Sequence, residues 1–192
     1  MYLKKIEING FKSFANKTVL TLEKGITAIV GPNGSGKSNI ADAIKWALGE
    51  QSVKSLRGKK SEDIIFAGSE KRAQVSAASV FLMFDNKDKK IPLEFEEVVI
   101  GRKIFRDGTG QYSINGSKAR LFDIIENLAA SGIGRGGHTV INQGMADKIL
   151  ASTPIERRIT IEDATGIKQF RIKRDQAEKK LEATSQNMAR IS

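Results

Sequence analysis

The sequence predicts an α/β fold in which a strand, a glycine-rich loop and a helix follow one another, an antiparallel β subdomain lies beside them, and a long heptad-patterned helix closes the chain. Three observations carry this expectation. Ile26-Thr27-Ala28-Ile29-Val30 is an almost continuous apolar run, the pattern of a strand buried on both faces, and it ends at Gly31. Ile40, Ala41, Ile44, Ala47 and Leu48 then recur at helical spacing until Gly49 supplies a stop. Further on, short apolar runs are broken at Asp107-Gly108 and Asn115-Gly116, dipeptides that suit hairpin turns.

Taken in order, Ile6 and Ile8 alternate with charged residues before Asn9-Gly10, and Val19, Leu20 and Leu22 follow before Gly25, which predicts two short paired strands. After the first helix, Val80 to Asp85, Val98 to Ile100 with Lys103 to Phe105, and Tyr112 to Ile114 predict an antiparallel meander. Leu121, Ile124, Ile125 and Leu128 change the period to that of an amphipathic helix. A glycine-rich loop is expected over residues 131–137, then a short strand over Thr139-Val140-Ile141-Asn142 leading into Gln143-Gly144. Gly132-x-Gly134 lacks the βαβ frame of a dinucleotide fingerprint and reads as plain loop, with His138 a loop residue. Thr153 as N-cap, Pro154 at the first helical position and Glu156 three residues after the cap announce another helix. Beyond Gly166, Ile167, Phe170, Arg174, Ala177, Leu181, Thr184, Met188 and Ile191 alternate spacings of three and four, a heptad seam with two polar interruptions. A terminal helix packed on its own domain is the plainer alternative.

Gly31-Pro32-Asn33-Gly34-Ser35-Gly36-Lys37-Ser38 matches the G-x-x-x-x-G-K-[ST] phosphate loop in full, and in the strand-to-helix setting the motif requires. With glycine at roughly 7% of average usage, such a match arises by chance in about one chain in a hundred of this length. Glycines allow successive backbone N–H groups to approach phosphate oxygens, and the helix N-terminus adds its positive dipole end. Lys37 is expected at the β- and γ-phosphates, and the Ser38 hydroxyl in the coordination sphere of Mg²⁺. The bound species is then a nucleotide phosphate with Mg²⁺, and the loop does not reveal which class of nucleotide enzyme this is. Val80 to Asp85 also reads as an apolar strand ending in an acid, the pattern of a metal-holding Walker B strand. The turn-rich Asn86-Lys87-Asp88 that follows favours Asp85 as a turn residue over a metal ligand.

Composition narrows the function classes. In 192 residues with 40% hydrophobic content, one ordinary core is expected. No apolar run is long enough for a membrane span and no secretory signal opens the chain, so a soluble, cytoplasmic protein is expected. The absence of cysteine excludes a disulfide framework or thiolate zinc site, and one histidine cannot build a histidine metal cluster. A net charge of +10 and the cluster Lys54, Arg57, Lys59 and Lys60 point to an anionic polymer, with double-stranded DNA contacted through its phosphates.

Five blocks resemble the N-terminal head of prokaryotic SMC (structural maintenance of chromosomes) proteins. They are Gly10-Phe11-Lys12-Ser13-Phe14, the phosphate loop continuing through Asn39 to Trp46-Ala47-Leu48-Gly49-Glu50, Lys54-Ser55-Leu56-Arg57-Gly58, Tyr112-Ser113-Ile114-Asn115-Gly116, and Val140-Ile141-Asn142-Gln143-Gly144. Ile161-Glu162-Asp163-Ala164-Thr165-Gly166 departs from the Phe-Glu-Glu-Ala-Ala-Gly more usual there, and Asn142 stands where glycine is commoner. The resemblance implies a P-loop NTPase of the ABC type as a half-head, with residues 1–160 forming the N-terminal lobe and 161–192 the start of a coiled-coil neck. It further implies Gln143 as a Q-loop residue touching Mg²⁺ and the attacking water, Arg57 near the phosphates, and Lys12 and Ser13 on the adenine and ribose side. Pro32, Asn33, Gly34, Ser35, Gly36, Lys37, Ser38 and Asn39 would hold the nucleotide. The family's Walker B acid, catalytic glutamate and signature serine lie in the C-terminal half, so this chain alone is expected to be inactive as an ATPase. Implied partners are that C-terminal half, a second SMC protomer and a kleisin-type subunit, with no membrane. A related SMC-like repair ATPase, a transporter ATPase subunit and a DNA scaffold that never hydrolyses ATP are the competing readings.

Overall fold

The computed structural model describes residues 1–133, 140–141, 147, 150–158 and 168–191. Six strands form one sheet: β1 (Tyr2–Asn9), β2 (Thr18–Thr21), β3 (Ala77–Asp85), β4 (Glu97–Phe105), β5 (Gly110–Ile114) and β6 (Ser117–Ala119). Their order is β2-β1-β3-β4-β5-β6, and every neighbouring pair is antiparallel. The expected first pair forms with Ile6 opposite Leu20, and the expected meander is β3 to β5. Period-two alternation decides which face is covered. Ala78, Val80, Leu82 and Phe84 of β3 point inward with Ile6 and Ile8 of β1 and Val98, Ile100 and Ile104 of β4.

Helix α1 (Lys37–Ala47) lies on this face and brings Ile40, Ala43, Trp46 and Ala47 into the core. Trp46 is fully buried against Phe11, with ring centroids 5.4 Å apart. Arg102 from β4 lies 4.6 Å from the Trp46 ring and 4.9 Å from the Tyr112 ring. Its Nη1 donates to the Trp46 carbonyl (2.8 Å) and to the Glu50 carbonyl (2.7 Å), so one cation both stacks and satisfies helix C-terminal acceptors. Gly49, with φ of 103°, ends the helix as expected. Helix α2 (Leu121–Ala130) buries Ile124 and Leu128 beside it.

Near the C-terminal end, the Thr153 hydroxyl accepts from the Glu156 N–H (3.3 Å) while Glu156 Oε2 accepts from the Thr153 N–H (2.7 Å), the expected capping box of a short helix over 154–158. Helix α3 (Lys168–Ile191) is continuous across the heptad-patterned stretch, with Leu181 and Met188 of the seam 72% and 65% exposed. Among the described residues no helix is long and apolar enough to cross a membrane.

Two expectations are corrected. Residues 26–30 join no strand: Ile26 and Val30 are 103% and 87% exposed and Ile29 44%, and no described strand of the sheet pairs with this run. Val140 and Ile141 are likewise outside any strand: Val140 packs on the core margin while Ile141 stays exposed. The expected boundary at 160/161, and Gly134, His138, Asn142 and Gln143, lie outside the described residues.

Candidate nucleotide-binding site

The phosphate loop runs into the N-terminus of α1, whose cap is Gly36 at φ 92° and ψ 6°. This left-handed conformation suits glycine, and a Cβ there would also stand 3.0 Å from the Ser13 hydroxyl oxygen. No side chain caps the helix and no acid occupies its first turn, so its leading N–H groups keep their positive end open to an anion. Within the loop, the Ser35 N–H donates to the Pro32 carbonyl (3.3 Å) and the Asn39 N–H to the Gly36 carbonyl (2.9 Å). Lys37 folds back, its Nζ donating to the carbonyls of Gly31 (2.7 Å) and Pro32 (2.8 Å). The ammonium is thereby stored on the loop that would hold the anion. Pro32, Asn33, Gly34, Ser35 and Ser38 are exposed.

Around this cradle the structure gathers residues far apart in sequence. Gly10, at φ 63°, allows the chain leaving β1 to pass close to the Ala77 carbonyl, where a Cβ would come within 2.2 Å. That turn delivers Lys12 and Ser13 to α1. The Lys12 backbone N–H donates to the Ile64 carbonyl (2.8 Å), while its Nζ donates to Asp42 Oδ2 (2.6 Å) and to the Leu56 carbonyl. Asn39 Nδ2 donates to Ser13 Oγ (2.8 Å), and Arg57 Nη2 donates to Asn39 Oδ1 (3.1 Å). Arg57 closes a 3₁₀ turn over Lys54–Leu56, and its Nε donates to Asp42 Oδ2 (3.0 Å), with Nη2 on the same oxygen. Lys12, Ser13, Asn39 and Arg57, proposed from the sequence separately, therefore form one network.

The residue they share was missed. Asp42 lies on the covered side of α1 at 2% exposure and also pairs with Lys45 (3.0 Å). Burial pushes its carboxyl upward, but the hydrogen bonds from Lys12, Arg57 and Lys45 outweigh that and hold it below the usual carboxylate range. The available signal was an acid between Ile40 and Ala43 on an otherwise apolar helix face; its three cationic partners were not legible. Arg102 was missed for the same reason, since its partners belong to a different element.

Asp85 is the last residue of β3 and pairs with Tyr2, whereas Ser79 pairs with Asn9 at the end leading to Lys12. It therefore sits about 20 Å along the sheet from the phosphate-loop side, at ~3.3 Å per residue. Its Oδ1 accepts from the Lys87 N–H (3.3 Å), as a turn residue does. Among the described residues no group of three or more His, Cys, Asp or Glu side chains could cage a metal. What the loop offers is serine hydroxyls, that of Ser38 at the start of α1 among them, beside an anion cradle, which fits a Mg²⁺ ion carried mainly by phosphate oxygens and water. Lys54, Arg57, Lys59 and Lys60 are all exposed; the turn carrying them is held by Asp63, whose Oδ2 accepts from the Lys59 and Lys60 N–H groups (2.7 and 2.9 Å).

The structure thus sets an open helix N-terminus, able to accept an anion, against an antiparallel sheet, an α/β arrangement. The profile of the RecF/RecN/SMC N terminal domain matches residues 2–137, and the chain belongs to that family. It is 53% identical over 192 residues to the chromosome partition protein Smc of Mycobacterium leprae, covering 100% of this chain and 16% of that protein. Two solved structures share the fold. The Smc head domain with an extended coiled coil from Pyrococcus furiosus, bound to the C-terminal domain of ScpA, has 41% identity and a TM-score of 0.82 over 98% of this chain and 48% of that chain. An SMC ATPase structure described with ATP-driven dimerization and DNA-stimulated activation has 41% identity and a TM-score of 0.78 over 85% of this chain and 99% of that one. The chain thus spans about a sixth of the length of its curated relatives.

Proposed function

We propose that this chain is the ATP-binding half of an SMC ATPase head, which with its C-terminal half and a second head binds and hydrolyses ATP to drive DNA entrapment or translocation in chromosome segregation. The observation that carries the proposal is the join between an open phosphate loop and the uncovered apolar run at 26–30 that leads into it. A nucleotide site whose leading apolar segment pairs with no described strand reads as half a site, and the C-terminal half of the head is the natural cover for it.

In this reading the Lys37 ammonium leaves the Gly31 and Pro32 carbonyls for the β- and γ-phosphates. Backbone N–H groups of Gly34, Ser35, Gly36 and Lys37 cradle the phosphates, with Pro32, Asn33 and Asn39 shaping the rim. Lys12 and Ser13 flank the adenine and ribose side, and Arg57 turns toward the phosphates. Ser38 and Gln143 hold Mg²⁺, which when bound neutralises phosphate charge. Because the acid and base of hydrolysis belong to the missing half, the chain binds ATP without turning it over. A kleisin-type subunit joins the assembled head, as ScpA joins the Pyrococcus furiosus head, and the exposed Lys54, Arg57, Lys59 and Lys60 contact duplex DNA phosphates. The compartment is the cytoplasm, at the nucleoid.

Calorimetric titration with Mg-ATP, run beside a turnover assay, tests the reading. The chain alone should bind and not hydrolyse, Lys37→Ala should lose binding, and adding the C-terminal half should restore turnover. Turnover by the chain alone, abolished by Lys37→Ala, would show a complete site and overturn the split head.

A further inference from the structure

Nucleotide binding leaves the most buried charged group near the site without a task. A phosphate loop does not require a carboxylate in the second turn of its helix, and burying one is costly unless it is paired and hydrogen-bonded. Here Asp42 is paired from three directions: by Lys12 from the chain after β1, by Lys45 one turn along α1, and by Arg57 from the 3₁₀ turn. The three cations are not equivalent. The side chains of Lys12 and Lys45 are 12% and 14% exposed, whereas that of Arg57 is 53% exposed. Arg57 also holds Asn39, Asn39 holds Ser13, and Ser13 stands against the glycine that caps the phosphate-loop helix. The hydrogen bonds thus run from the buried carboxylate through Arg57 and Asn39 to Ser13, which lies beside the capping Gly36.

We infer that Asp42 is a positioning residue for the nucleotide site, its carboxylate fixing Arg57 beside the phosphate loop. The inference rests on the nucleotide reading above. Lys12 and Lys45 remain on the carboxylate when Arg57 turns to an incoming phosphate, so the arginine can change partner without stranding a buried charge. A neutral side chain at position 42 removes that anchor and lets the Arg57 guanidinium wander from Asn39.

The test is a double-mutant cycle in the full-length protein, reading the Kd for Mg-ATP by calorimetry and the KM and kcat of turnover. Asp42→Asn, Arg57→Ala and the double variant are compared with wild type, with Lys37→Ala as control and circular dichroism reporting folding. Asp42→Asn should weaken ATP binding about tenfold, the lower range for supporting residues around a site. The double variant should bind no more weakly than the weaker single variant, because Asp42 acts through Arg57. Asp42→Glu keeps the charge and should recover most of the affinity, which also covers the case of Asp42→Asn failing to fold. Wild-type Kd and KM in a folded Asp42→Asn protein, or effects of Asp42→Asn and Arg57→Ala that add in full, would overturn the inference while leaving nucleotide binding intact. Failure of wild type to bind ATP, or binding by Lys37→Ala equal to wild type, would instead remove the nucleotide reading and the inference with it.

Discussion

β3 and the segment 26–30 are both apolar runs, yet one is the best covered strand of the protein and the other lies in solvent. Ala78, Val80 and Leu82 of β3 are completely buried, while Ile26 and Val30 are 103% and 87% exposed. The difference is in partners, not in composition. β3 has β1 on one side and β4 on the other, with α1 over its inner face, and all three lie within this chain. An apolar run states a demand for burial; whether the demand is met depends on which other segments are present.

The largest effect that would test this contrast is at the covered side. Trp46→Ala should destabilise the chain by about 3–5 kcal/mol in urea unfolding, since it empties a fully buried aromatic site between Phe11 and Arg102. A loss below about 1 kcal/mol would mean the sheet and α1 are not one packed unit. Next in size is Asn86, buried at the end of β3, whose Nδ2 donates to the carbonyls of Ile91 (3.0 Å) and Phe95 (3.0 Å) and whose Oδ1 accepts from the Ile91 N–H (2.9 Å). Asn86→Ala should cost about 1–3 kcal/mol and raise amide exchange across residues 87–96.

A third effect is pH-dependent. The folded-state pKa of Asp42 lies below its unfolded value, so its contribution is complete above the ordinary carboxylate range near ~3.9 and is lost as pH falls from there through the folded value. Unfolding curves between neutral pH and pH 3 should therefore show a fall in wild-type stability on the acid side that is shallower in Asp42→Asn. Equal slopes would remove Asp42 from the ionised network.

The smallest effect belongs to the uncovered side. Val30→Ser should change the stability of the chain by no more than about 0.5 kcal/mol, as for any exposed position, and should raise its solubility. With the C-terminal half bound, the same substitution should weaken assembly, and amides at 26–30 should become protected from exchange. Large destabilisation by Val30→Ser in the chain alone would show that the run is covered after all.

The sequence by itself determined the elements whose signals are local. Turn dipeptides such as Asn115-Gly116, the stop at Gly49, the Thr153–Glu156 capping box, the meander and both amphipathic helices follow from steric preferences and periodicity acting within a few residues. The local form of the loop into α1 was equally legible, with Gly34 and Gly36 at positive φ, while the strand expected before it did not form. Tertiary structure alone decided the rest. Nothing local distinguishes Asp42 from a solvated acid on a helix, and nothing near Arg102 in sequence reveals that it will lie over Trp46. These roles arise because the chain brings residues 12, 57 and 102, from the turn after β1, the 3₁₀ turn and β4, against the helix that carries Asp42 and Trp46. The exposure of 26–30 could not be read for the complementary reason: a chain's own pattern specifies what it needs covered without saying what covers it.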